Sequence, residues 1–149
     1  MGPHERQHLA ADLLALAENL ASERGHRLFG ELTNDDVVEF GLEEGKGTHR
    51  CEVQVSLGGM LTVLTSNGYE FTDINNDWDV DGTPSPQVRL AFGIFDAFVA
   101  GAFRLTNGWR KPNKNMEFAA TDLPVVGRAI QHGIGDHRGG PYQRTLRAE

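Results

Sequence analysis

Apolar residues recur at helical spacing between Arg6 and Glu23, at Leu9, Leu13, Leu16, Ala17 and Leu20, with Asp12, Glu18 and Glu23 elsewhere on the wheel. That spacing predicts an amphipathic helix that lays one stripe on a larger body, and Gly25 supplies a left-handed stop. His4 falls ahead of that helix, beside Pro3. The period then drops to two. Val38, Phe40 and Leu42 alternate with Glu39 and Gly41, and Cys51, Val53, Val55 and Leu57 alternate with Arg50, Glu52, Gln54 and Ser56. Met60 to Thr65 and Tyr69 to Ile74 continue the series, joined by Gly58-Gly59, read as a two-residue hairpin loop, and by Asn67-Gly68. Four short runs joined by tight turns predict an antiparallel meander with one buried face and one wet face.

Beyond Ile74 the helical period returns. Ser85 is placed to cap a helix and Pro86 suits its first turn, where no N–H is missed. From Gln87 to Leu105 the pattern is apolar nearly all round, with one narrow polar stripe at Arg89, Gly93, Asp96, Ala100 and Arg104. Such a helix must be buried on most sides, or form a homodimer interface where the stripe around Gly93 and Ala100 stays uncovered. Trp109 to Asn115 reads as a basic loop, and Leu123 to Ile130 as a short helix capped at Thr121 or Asp122 and ended by Gly133. The expected fold is therefore α+β: an N-terminal helix, a four-stranded antiparallel meander, a long buried helix and a short C-terminal helix. It forms one compact domain over residues 1–134, with a mobile tail over 135–149.

Composition narrows the function classes. With 149 residues, 39% of them hydrophobic, the chain can build one sizeable core. Its single cysteine excludes an internal disulfide framework and a zinc site built on two cysteines, and Cys51 falls in the inward register of its strand, as a small buried hydrophobe. No run is long and apolar enough to span a membrane, and the first residues lack the layout of a secretion signal, so a cytoplasmic location is expected.

The net charge of −7 conceals a polarity. Residues 31–81 carry twelve acidic side chains against only Lys46 and Arg50, whereas residues 82–149 carry nine basic side chains against five acidic ones. Nucleic-acid phosphates would meet like charge on the first of these segments, while a basic protein or a divalent cation complements it.

One segment stands out for chemistry. Asp77-Trp78-Asp79-Val80-Asp81-Gly82 opens like a calcium loop, with alternate oxygens and a turn glycine. The twelfth position is Val88 rather than a bidentate Glu and the eighth is Pro84, so the pattern is not an EF-hand; other loops with this opening close through different ligands, to which Asp73 or Asn75 could contribute. Extended, the same segment aligns Asp73, Asn75, Asp77, Asp79 and Asp81 on one face as an acidic docking ladder, with Trp78 on the other. Enzyme signatures are weak. His4, His8, His26, His49, His132 and His137 are scattered, and no phosphate-cradling loop, nucleophile elbow or Cys–His pair is present. Trp109 with Arg110, Lys111 and Lys114 is too small a set for a nucleic-acid surface.

The expected function is a non-catalytic, cofactor-free acidic domain that engages a basic protein partner through Asp73, Asp77, Trp78, Asp79 and Asp81. Toxin-neutralising immunity proteins and secretion chaperones are analogous in charge and architecture alone. The alternatives are a calcium-binding domain using Asp77–Gly82 and a small enzyme with an unrecognised His/carboxylate site.

Overall fold

A computed structural model describes residues 3–34, 36–74, 85–118 and 126–130. The chain runs α1 (Pro3–Arg24), β1 (Arg27–Thr33), β2 (Val37–Glu43), β3 (Arg50–Ser56), β4 (Met60–Thr65), β5 (Tyr69–Ile74), α2 (Ser85–Val99), β6 (Phe103–Gly108), β7 (Lys111–Phe118) and β8 (Val126–Ala129). The α+β class, the first helix, the meander and the buried middle helix are as the pattern predicts. The sheet, however, has eight strands rather than four, in the order β1-β2-β3-β4-β5-β8-β7-β6, with every pairing antiparallel.

Alternation does the folding work in the meander. Val38, Phe40 and Leu42 pair with Val55, Val53 and Cys51, and Val53 and Val55 pair in turn with Val63 and Leu61. Their side chains form one buried face. α1 lies over β1 and β2 and α2 over β3 and β4, with the Phe92 ring stacked on Phe40 at 6.3 Å. A single core receives Leu13, Ala17 and Leu20 from α1 and Val88, Phe92, Ile94 and Phe95 from α2.

Both helices stop by the same device. Gly25 and Gly101 adopt φ of +75° and +69°. In each case the following residue donates five residues back, His26 N to Ala21 O and Ala102 N to Ala97 O, both at 2.9 Å. This is the Schellman arrangement, which suits glycine because it has no Cβ to clash. The second stop shortens α2 relative to its expected end at Leu105: Phe103 and Leu105 belong to β6 instead. At the other end α1 begins at Pro3, so His4 lies within the helix and, like His8, is exposed.

Three further expectations are corrected. The β3–β4 loop has three residues, Leu57 to Gly59, with Gly59 at φ +108°. The basic stretch after Gly108 is a two-residue turn, Trp109-Arg110, followed by strand β7. Val126–Ala129, expected within a helix, is the strand that joins the meander to the β6–β7 hairpin by pairing with β5 on one side and β7 on the other. Tertiary pairing overrides local periodicity here, as it does most easily in a segment of four residues. Among the described residues there are two helices. The expected tail over 135–149 lies outside them.

Candidate binding surface

Several acids of the sheet and its connections have partners close by. Glu43, nearly buried, receives both Arg27 from β1 and Arg50 from β3. The Arg50 guanidinium also stands 5.1 Å above the Phe29 ring, and that ring occupies the space a Cβ at Gly41 would fill. Glu39 accepts from Gln54 at 2.7 Å, Asp36 pairs with Arg6 at 2.9 Å, and Glu117 accepts twice from Arg104 at 2.9 and 3.1 Å. Counted along the chain these acids suggest a negative face. In space they form a charge-balanced mesh.

Two histidine–carboxylate pairs also form. The cap after α1 positions His26, whose ring meets Phe95 edge-on at 4.7 Å while Nε2 lies 2.6 Å from Asp96. Asp96 also takes Arg24, so one α2 carboxylate fastens the end of α1. In the β2–β3 connection, His49 Nδ1 lies 2.9 Å from Glu44 and its ring stands edge-on to Phe98. Burial acts to raise the Glu44 carboxyl, but hydrogen bonds from His49 and Thr48 and the charge of His49 hold it below its ordinary value. Each pair ties a connection to α2, one through Asp96 and Phe95 and the other through Phe98. Cys51 is fully buried, and burial pushes its thiol well above the ordinary value, which suits a structural residue. Among the described residues no group of three His, Cys, Asp or Glu could hold a metal ion.

Of the residues singled out from the sequence, Asp73 occupies the penultimate position of β5 and pairs with Leu61. Asp77, Trp78, Asp79 and Asp81 lie outside the described residues, in the connection between β5 and α2. Trp109, in the β6–β7 turn, is 79% exposed, with the Arg110 guanidinium 5.4 Å from its ring centre.

A feature missed by sequence reasoning lies at the opposite end of β5. A cavity of about 690 Å³ opens where the β4–β5 turn meets the end of β8 and the start of β7. Its charged lining is Glu70, Lys114 and Arg128, and Asn67, Tyr69 and Ile130 contribute further walls. The Tyr69 hydroxyl donates to Asn113 O at 2.8 Å and Ile130 N donates to Gly68 O at 2.9 Å, which ties the three rims together. No local signal announces such a site, because its walls come from positions 67–70, 112–114 and 128–130 and meet only through strand pairing.

No protein-family model, curated protein or solved structure matches the chain.

Proposed function

We propose that the chain is a non-catalytic binding domain that engages a basic protein partner through the acidic connection between β5 and α2. The distribution of cations carries this reading. From Cys51 to Val88 the chain contains no Lys, Arg or His, yet it holds Glu52, Glu70, Asp73, Asp77, Asp79 and Asp81. Five arginines of the sheet and α1 are engaged away from this run: Arg27 and Arg50 on Glu43, Arg6 on Asp36, Arg24 on Asp96 and Arg104 on Glu117. An acidic run with no cation of its own in the sequence attracts a cationic surface and steers its approach, an effect that salt weakens. Trp78, in the middle of the run, supplies the aromatic anchor that such contacts favour. An immunity-like or chaperone-like role fits a domain of this kind.

The test is fluorescence anisotropy with a labelled Lys/Arg-rich peptide, comparing the native chain with the triple variant Asp77→Asn, Asp79→Asn, Asp81→Asn. Native binding should weaken with salt, and the variant should lose roughly tenfold or more in affinity. Equal affinity for the two proteins overturns the proposal. A calcium titration of melting temperature runs beside it: a rise reversed by chelator in the native chain, and lost in the variant, would assign the segment to the metal instead.

A further inference from the structure

The sheet ends on two strands of different character. β1, at one edge, is interrupted at Gly30 and Glu31, since Phe29 pairs with Gly41 and Leu32 with Glu39. A bulge of this kind turns an edge away from further pairing. β6, at the other edge, has no such guard. The extra residues in its pairing with β7 lie on β7, at Pro112 to Lys114, so β6 alternates without a break, and it contains neither Pro nor Lys. Phe103 and Leu105 lean on the core, Arg104 on the opposite face pairs with Glu117, and among the described residues no strand lies beyond β6. The outward N–H and C=O groups of such an edge are a template for another strand. Two features flank it. The turn after β6 leaves Trp109 79% exposed, and just before β6 a Cβ built on Gly101 would meet nothing.

We infer that β6 pairs with β6 of a second copy of this chain, antiparallel about a two-fold axis at Leu105. Residues directly opposite one another in an antiparallel pair share a face, and a two-fold axis makes the strand its own partner. An axis at Arg104 would set like charges opposite each other, which is unfavourable. With the axis at Leu105, the two Leu105 side chains meet on the core side, Arg104 stands opposite Thr106, and Phe103 opposite Asn107. Trp109 and Gly101 are each four residues from that axis, in opposite directions. Each exposed ring therefore comes level with the open space at Gly101 of the other copy, whereas an axis at Thr106 would carry it to Phe103. The fit is mutual, as an isologous contact requires. Two paired strands of five residues and two Trp rings bury on the order of 1,000 Å², the lower bound for a specific interface, so the dimer is a weak one.

Sedimentation velocity on the full chain from about 5 to about 500 µM tests this, with monomer expected at the low end and dimer at the high end. Trp109→Ser, at an exposed position, should weaken the dimer about tenfold or more without altering the fold. Pulsed electron paramagnetic resonance then locates the interface. Asn107 is exposed, and its two copies would stand about 14 Å apart between Cα atoms, four residues along paired strands. A nitroxide on Asn107→Cys, with the buried Cys51 left unlabelled, should therefore report an intermolecular distance below about 25 Å. A chain that stays monomeric at about 500 µM, a dimer with a longer distance, or a Trp109→Ser variant that dimerises as well as the parent would each overturn the inference. The triple Asp→Asn variant of the acidic connection should dimerise normally, so the two proposals fail separately.

Discussion

Gly127 is where the fold's least expected element can be tested by the sign of a single substitution. β8 closes the sheet, and Gly127 lies at its centre, paired with Met116 of β7. The Phe71 ring crosses this glycine: a Cβ there would sit 2.6 Å from both Cε1 and Cζ. That ring cannot swing aside freely, since it is buried and stacks on Phe118 at 5.0 Å. Gly127→Ala therefore overpacks the junction and should destabilise the protein by about 1–3 kcal/mol. For a domain of this size, 2 kcal/mol corresponds to a fall of roughly 4–8 °C in melting temperature. Were Leu123 to Ile130 a helix, as its spacing suggests, the same change would stabilise by up to about 1 kcal/mol through helix propensity. Urea denaturation followed by circular dichroism measures the difference. Gly45→Ala, where an added Cβ meets nothing and φ is not positive, is the control and should stay within about 0.5 kcal/mol of the parent. Relief of the Gly127→Ala loss by Phe71→Leu would identify the ring as the cause. A neutral or stabilising Gly127→Ala would refute the strand and, with it, the way the cavity is assembled.

Three other outcomes are expected. Gly101→Ala should cost about 1 kcal/mol in chemical denaturation despite open space around the position, because the left-handed backbone at φ +69° strains any Cβ. Glu44, whose folded value lies below 4.5, contributes stability at neutral pH that fades as pH falls through the folded value. The stability gap between the native chain and Glu44→Gln should therefore shrink below pH 4.5, and a gap that is constant down to pH 3 would contradict the His49 contact as its source. Cys51 should react with a thiol reagent at pH 8 only at the rate of unfolding, and rapid labelling of the native protein would contradict its buried position.

The elements legible in the sequence are those whose burial leaves a simple period. β3 buries every second residue and β2 begins the same way, so their alternation survives in the sequence, while β4 is buried at every position after Met60 and shows as a short apolar run. β1 was hidden by a bulge: Phe29 pairs with Gly41 and Leu32 with Glu39, so Gly30, at φ +58°, and Glu31 together oppose Phe40. That extra residue breaks the alternation in mid-strand. β7 was hidden by Pro112, Asn113 and Lys114, which extend beyond the reach of β8 and so need no sheet-forming side chains. β8 misled because Val126, Ala129 and Ile130 have helical spacing, while the reason for Gly127 lies on a strand more than fifty residues earlier. Charge was similarly deceptive. A count along the chain sees Glu39 and Glu43 as parts of a negative run, whereas Arg27, Arg50 and Gln54 reach them from adjacent strands. The candidate site divides in the same way: its acidic run is visible in the sequence, and the cavity at the other end of β5 is a product of topology.

The most direct measurement is a two-dimensional amide NMR titration of the isotopically labelled chain with an unlabelled Lys/Arg-rich peptide. The account predicts that shifts concentrate between Asp73 and Gly82, include the Trp78 indole and shrink with added salt. Shifts centred on the Glu39–Glu43 mesh, or spread evenly over the surface with no focus, would contradict it.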